Sequence, residues 1–207
     1  MARSSSRRPA PPAAAWLLAA VCAAALGAAD PPASSTVDAY PDDITPPAGT
    51  RYPCALTALP RGLPGIPEAD RVYINRTYAR ILRATQAKLV LLKALEDGRD
   101  MPGALARYQD ATRGLAERLV AEAAPAGLGP FQEDVEKALA LQQAFFAKAV
   151  PMREAGRSMG DVYGIGEGRD ASSRLISAWG RMQSRYPAWS PETKDSIYHH
   201  LCALDLF

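Results

Sequence analysis

Prolines divide this sequence more sharply than any other residue type. Nine of the 18 fall between Pro31 and Pro67, and only six follow Pro67. A proline fixes φ and supplies no amide proton, so residues 30–67 form neither a regular helix nor a central strand. Residues 30–50 read as a spacer. Residues 51–67 (RYPCALTALPRGLPGIP) are more apolar. They are expected to be an ordered lead-in that lies over the helices downstream and carries Cys54.

Upstream of the proline-rich stretch, residues 1–29 are organised like an export signal. Arg3, Arg7 and Arg8 are the only charges, an apolar run follows from Ala14, and small residues close it around Gly27-Ala28-Ala29. A basic start, an apolar core and a small-residue exit are the marks of a secretory signal peptide, with cleavage expected near residues 27–29. The apolar core is about 16 residues long, short of the ~20 a transmembrane helix needs. The expected location is therefore secreted or periplasmic, with membrane attachment only if this segment stays uncleaved.

Cleavage removes Cys22 and leaves Cys54 and Cys202. Two cysteines in an oxidising compartment predict one disulfide, which would tie the lead-in to the last helix. Closing a loop of about 150 residues stabilises by ~5 kcal/mol in the chain-entropy model.

From Glu68 onward the pattern is helical. A first helix is predicted from about residue 68 to Asp97, with Gly98 as its stop. Ile74, Tyr78, Ile81, Thr85, Leu89 and Leu92 form its stripe. Its second half, LVLLKAL, is apolar nearly all round and is expected to be the more buried end. A second helix over about 102–124 carries Leu105, Tyr108, Thr112, Leu115 and Leu119 on one face. A third, from about Pro130 to Gly156, carries Val135, Leu139, Gln142, Phe146 and Val150, with Pro151 kinking or ending it. After a glycine-rich connector, a fourth spans about 170–185 with Leu175, Trp179, Met182 and Tyr186 on its inner side. Ser190 and Pro191 then cap and open a fifth, whose inner face is Ile197, Leu201 and Leu204. No stretch alternates as a strand does. Stripes of this spacing joined by short turns predict an all-α fold: an antiparallel bundle of four to five helices over residues 68–207, preceded by the Pro-rich extended segment.

The charges narrow the function classes. Lys and Arg total 24 against 22 Asp and Glu, and without residues 1–29 the balance is 21 to 22. A near-neutral chain lacks the concentrated basic surface of a nucleic-acid binder.

Reactive groups are sparse. His199 and His200 are the only histidines; being adjacent, they point to different sides of one helix. A hydrolase using either would need a nucleophile and an orienting acid that the pattern does not supply. No Glu-x-x-His, His-x-x-x-His or Cys-x-x-Cys spacing offers a metal seat, and no c-type haem motif is present. A b-type haem between Met152, Met159 or Met182 and one of the histidines is the alternative small-ligand reading, although methionine in a helix is usually core filler. The run Asp161–Gly168 lacks the preceding strand of a phosphate loop and reads as a mobile connector.

Two surface features remain. Arg76, Arg80 and Arg83 form a basic ridge on the first helix, either a contact for an anionic partner or a solvated face paired with a neighbouring helix. Trp179, Tyr186 and Trp189 bracket the last turn. Trp179 is expected inward and Trp189 more open, as a candidate partner contact. Asn75-Arg76-Thr77 is a glycosylation sequon built on the chain's one asparagine. Taken together, no catalytic, metal or cofactor residues are expected. The chain reads as an exported, non-enzymatic helical domain that meets an unknown protein partner or serves the cell envelope.

Overall fold

Among the described residues the chain is all helix. A computed structural model describes Leu59 and residues 62–206, apart from the side chain of Ser196; the export segment, the spacer and Cys54 lie outside them. The helices are α1 (Glu68–Asp97), α2 (Met101–Ala121), α3 (Gly129–Glu154), α4 (Met159–Tyr163), α5 (Gly166–Arg185) and α6 (Pro191–Leu204).

Their ends follow local chemistry. Gly98 stops α1 in the left-handed conformation (φ 66°) and donates its amide to the Ala94 carbonyl, the closure a Cβ would resist. Pro102, Pro130 and Pro191 sit in the first turns of α2, α3 and α6, where a missing amide costs nothing. Ser190 caps α6 by accepting from the Thr193 amide. Pro151 neither ends nor interrupts α3 early: the helix runs on to Glu154.

The connector predicted as mobile contains a sixth helix. Ser158 accepts from the Asp161 amide while Asp161 accepts from the Ser158 amide, a reciprocal capping box that opens the short α4. Gly164 ends α4, and Gly166 and Gly168 belong to α5, which begins at Gly166, earlier than its stripe implies.

The most extensive packing is between α3 and α5 and between α1 and α2; α2 also meets α3, and α6 meets both α1 and α5. Two apolar clusters result. The first gathers Ile74, Tyr78, Leu119, Phe131, Leu175, Met182 and Leu201 with their neighbours. The second gathers Leu91, Leu95, Tyr108, Phe145, Phe146, Val162 and Leu206. The break between them falls at one level on each long helix, and polar side chains occupy it: Thr85 and Lys88 on α1, Thr112 on α2 and Gln142 on α3, all buried.

This layer holds the end of α6. Lys88 donates its ammonium to the carbonyls of Ala203 (2.7 Å) and Asp205. Gln142 donates to the Leu204 carbonyl at 2.8 Å and accepts from the Tyr108 hydroxyl at 3.0 Å. Carbonyls at a helix C-terminus have no partner within the helix and carry its negative dipole end, so a buried cation and an amide suit them. Burying the Lys88 charge is offset there by hydrogen bonds to carbonyl oxygens. Ser172 on α5 and the Leu206 amide both donate to the Asp205 carboxylate, which closes the layer.

The polar layer also explains why α1 departs from expectation. Its first half, not its second, is the more buried, and Val90 is 45% exposed. After Thr85 the inward stripe passes through Lys88, Leu91 and Leu95, while Leu89 and Leu92 are only half-buried.

Candidate contact surface

Several of the charged groups that could have formed a site join helices instead. Asp134 on α3 is 1% exposed. It accepts from Ser177 Oγ at 2.7 Å, Arg181 Nε at 2.5 Å and Arg174 Nη1 at 3.4 Å, all on α5. Burial pushes the Asp134 carboxyl up. The hydrogen bonds from Arg181 and Ser177 and the Arg181 charge outweigh it, and the carboxyl stays below the ordinary aspartate value. Clefts of about 340 and 580 Å³ flank this clamp along the α3–α5 seam, with Ser177 lining both.

At the start of α1, Asp70 accepts from the Tyr186 hydroxyl at 2.5 Å and pairs with Arg185 at 3.5 Å. Burial, then the bond to Asp70 and its charge, raise the Tyr186 phenol. The Trp189 ring stacks on Tyr186 with centroids 4.1 Å apart. Trp189 is only 5% exposed, so the open tryptophan expected from the sequence is not observed. Tyr186, held by Asp70, supplies an aromatic face that covers it.

The basic ridge is paired. Arg76 and Arg80 both reach Glu122, the residue that ends α2, at 3.0 and 2.7 Å; Arg83 is exposed on the same side of α1. One carboxylate thus cancels part of the field the three arginines would present.

The histidines separate as their adjacency requires. His200 is fully buried and stacks on Tyr78 with centroids 4.3 Å apart and planes 12° apart, while His199 is half-buried. Met182 lies in the first apolar cluster, and Met152 and Met159 edge the second. Among the described residues no group of three His, Cys, Asp or Glu side chains could hold a metal ion, and no helix is long and apolar enough to cross a membrane.

Asn75 has a role the sequence did not disclose. Its side-chain oxygen accepts from the Leu59 amide at 2.7 Å, and its side-chain nitrogen donates to the Leu59 carbonyl at 3.0 Å. Arg71, itself 1% exposed and paired with Glu68, donates to the same carbonyl at 3.1 Å. The sequon asparagine is therefore a buried backbone clamp. Leu59 is fully buried, and Leu63 and Ile66 pack against the first cluster after it. Cys202 is half-buried on α6.

One group of apolar side chains stays at the surface. Ile176 on α5 is 65% exposed and Tyr198 on α6 is 41% exposed. Trp179, one turn from Ile176, meets Tyr198 edge-on with centroids 5.5 Å apart. Isolated exposed apolar residues such as Val120 are ordinary, but here two exposed residues lie next to a half-buried tryptophan that packs on the first cluster, and together they form a patch across a helix seam. Trp179, expected inward from the sequence, is half-buried and packs against the first cluster, whereas Ile176 and Tyr198 were not marked. The signal available was Ile176 lying off the inner stripe of its helix.

No family model, curated protein or solved structure matches the chain.

Proposed function

We propose that this chain is an exported helical domain that works by contact with another protein, and that the Ile176–Trp179–Tyr198 patch is the contact. The observation that carries the reading is the patch itself. It sets the exposed Ile176 one turn from a half-buried Trp179 that meets the exposed Tyr198, an aliphatic and two aromatic side chains of the kind interface centres favour. The charged groups that might have competed for this role, Arg76, Arg80 and Asp134, face carboxylate or guanidinium partners within the domain.

The domain is read as an antiparallel bundle. Paired residues support alternating directions for α1, α2, α3 and α5: Arg76 with Glu122, Tyr73 with Gln132, and Lys148 with Glu167. His200 beside Tyr78, followed by Ala203 bonded to Lys88, supports α6 running in the same sense as α1. The organisation of residues 1–29 supports export. A Cys54–Cys202 disulfide is supported by the cysteine count, since these two remain after cleavage in an oxidising compartment.

The test is site-specific photo-crosslinking in the secreting cell, with the crosslinker at Ile176, Tyr198 or Val120. The reading expects one protein to be captured from both patch positions and not from Val120. No adduct from the patch, or the same adducts from all three sites, overturns it.

A further inference from the structure

The clamp on Leu59 is built like a receptor for an extended peptide. Asn75 pairs with both backbone groups of a single residue, donating to its carbonyl and accepting from its amide, as a neighbouring strand would. Arg71 adds a second donor to the same carbonyl. These contacts read the backbone and are indifferent to side chain. Selection comes from the Leu59 side chain, which is wholly buried in the first apolar cluster. Ala79 and Leu82, further along the same face of α1, are buried as well.

Few backbone hydrogen bonds of its own hold the seated segment; its described anchors are the Leu59 clamp and the Leu63 and Ile66 side chains on the first cluster. Between Leu59 and α1 lie Pro60, Gly62, Pro64, Gly65 and Pro67, with Gly62 and Gly65 at positive φ. One backbone hydrogen bond, from the Ile66 amide to the Leu63 carbonyl, is formed within the described part of that stretch. If Leu59 leaves, the clamp uncovers the Asn75 side-chain amide and a guanidinium that keeps its Glu68 partner, beside the apolar seat of the Leu59 side chain.

We propose that the Arg71–Asn75 face of α1 is a peptide-binding groove that Leu59 occupies in cis and that an extended, leucine-bearing segment of a protein partner occupies in trans. This rests on the reading of the chain as a contact domain and names a second, chemically defined contact for it. A segment tethered by a short linker competes at an effective concentration of about millimolar. The cis residue therefore acts as a brake: a partner engages the groove only when its own segment is concentrated by contact elsewhere, as at the α5–α6 patch.

The probe is a fluorescent nine-residue peptide with the sequence of residues 55–63, titrated into the processed full-length protein. Leu59→Gly keeps the tether and empties the side-chain pocket; it is expected to bind the peptide about tenfold or more tighter than wild type, because the tethered competitor is weakened. Adding Asn75→Ala to that variant is expected to abolish the gain. Equal binding to wild type and a folded Leu59→Gly protein overturns the proposal, as does binding that survives Asn75→Ala. A concentration-dependent dimer that excludes the peptide also overturns it, by giving the groove to a second copy.

If Leu59→Gly fails to fold, wild type supplies the test. Asn75 is the chain's one asparagine, so selective nitrogen labelling yields one asparagine side-chain amide signal. A nitroxide-tagged peptide at millimolar concentration should broaden it; an unchanged signal overturns the proposal. Patch crosslinks that persist when the peptide fails to bind reject the groove alone. Their loss while the peptide still binds rejects the patch alone.

Discussion

Replacing Asp134 with alanine tests how the largest helix interface is held. Breaking a fully buried ion pair by removing one partner costs about 3–5 kcal/mol, because the other charge is stranded. Here the stranded groups are not fully buried: the Arg181 and Arg174 side chains are 47% and 45% exposed. Both guanidiniums rehydrate when the carboxylate goes, so the loss should be about half the buried figure, about 2 kcal/mol. With a urea slope of about 2 kcal/mol per molar, the unfolding midpoint falls by about 1 M without a change in slope. The difference from wild type should also depend on pH. The Asp134 carboxyl is held below its ordinary value by the Arg181 and Ser177 hydrogen bonds and the Arg181 charge, against the opposing effect of burial. A depressed folded pKa contributes stability that is complete above the unfolded value of about 4 and is lost as the pH falls through the folded one. The gap between the two proteins should therefore be full at neutral pH and narrow below about pH 4. Carboxylates also shifted downward but remote from Asp134, such as Asp161 and Glu167, are common to both proteins and cancel. A gap under about 0.5 kcal/mol at neutral pH, within the range of ordinary surface substitutions, or one constant into acid, would refute the argument.

Three further outcomes follow from local geometry. Asn75→Ala strands the buried Leu59 amide and should cost about 1–2 kcal/mol in urea unfolding, after allowing for alanine's better helix propensity; an unchanged midpoint would deny the clamp any energetic role. Gly98→Ala should cost about 1 kcal/mol, read as a lower melting temperature, from backbone strain alone, since φ is 66° and no atom stands within 4 Å of the new Cβ. Ser190→Ala should cost about 1 kcal/mol through loss of the α6 cap, and Ser190→Asp should restore most of it.

Much of the fold was legible because its signals are local. Gly98 after a 3-4 stripe gave the end of α1, and Ser190-Pro191 gave the start of α6. Thr112 and Gln142 fell on the inward stripes although polar, and the structure shows why: they form the layer between the two cores. Lys88 was not legible. Read as a charge, it belongs outside, and the stripe was carried to Leu89 instead; its burial depends on α6 ending against it, a tertiary fact. Asn75 is a similar case, since its sequon pattern says nothing of the Leu59 backbone it holds. The exposure of Trp189 was misjudged because its cover, Tyr186, is positioned by Asp70, 116 residues away. The short α4 was hidden by its glycines, although Ser158 and Asp161 stand at capping-box spacing.

Export is the claim on which the partner-binding account stands. The direct measurement is the intact mass of the protein secreted under its own signal, alkylated and denatured without reductant. The account predicts a chain that begins just after residues 27–29, lacks two hydrogens, and takes up no alkyl group until it is reduced. A mass that retains residues 1–29, or two alkylated thiols in an otherwise processed chain, would contradict the cleavage or the Cys54–Cys202 closure respectively.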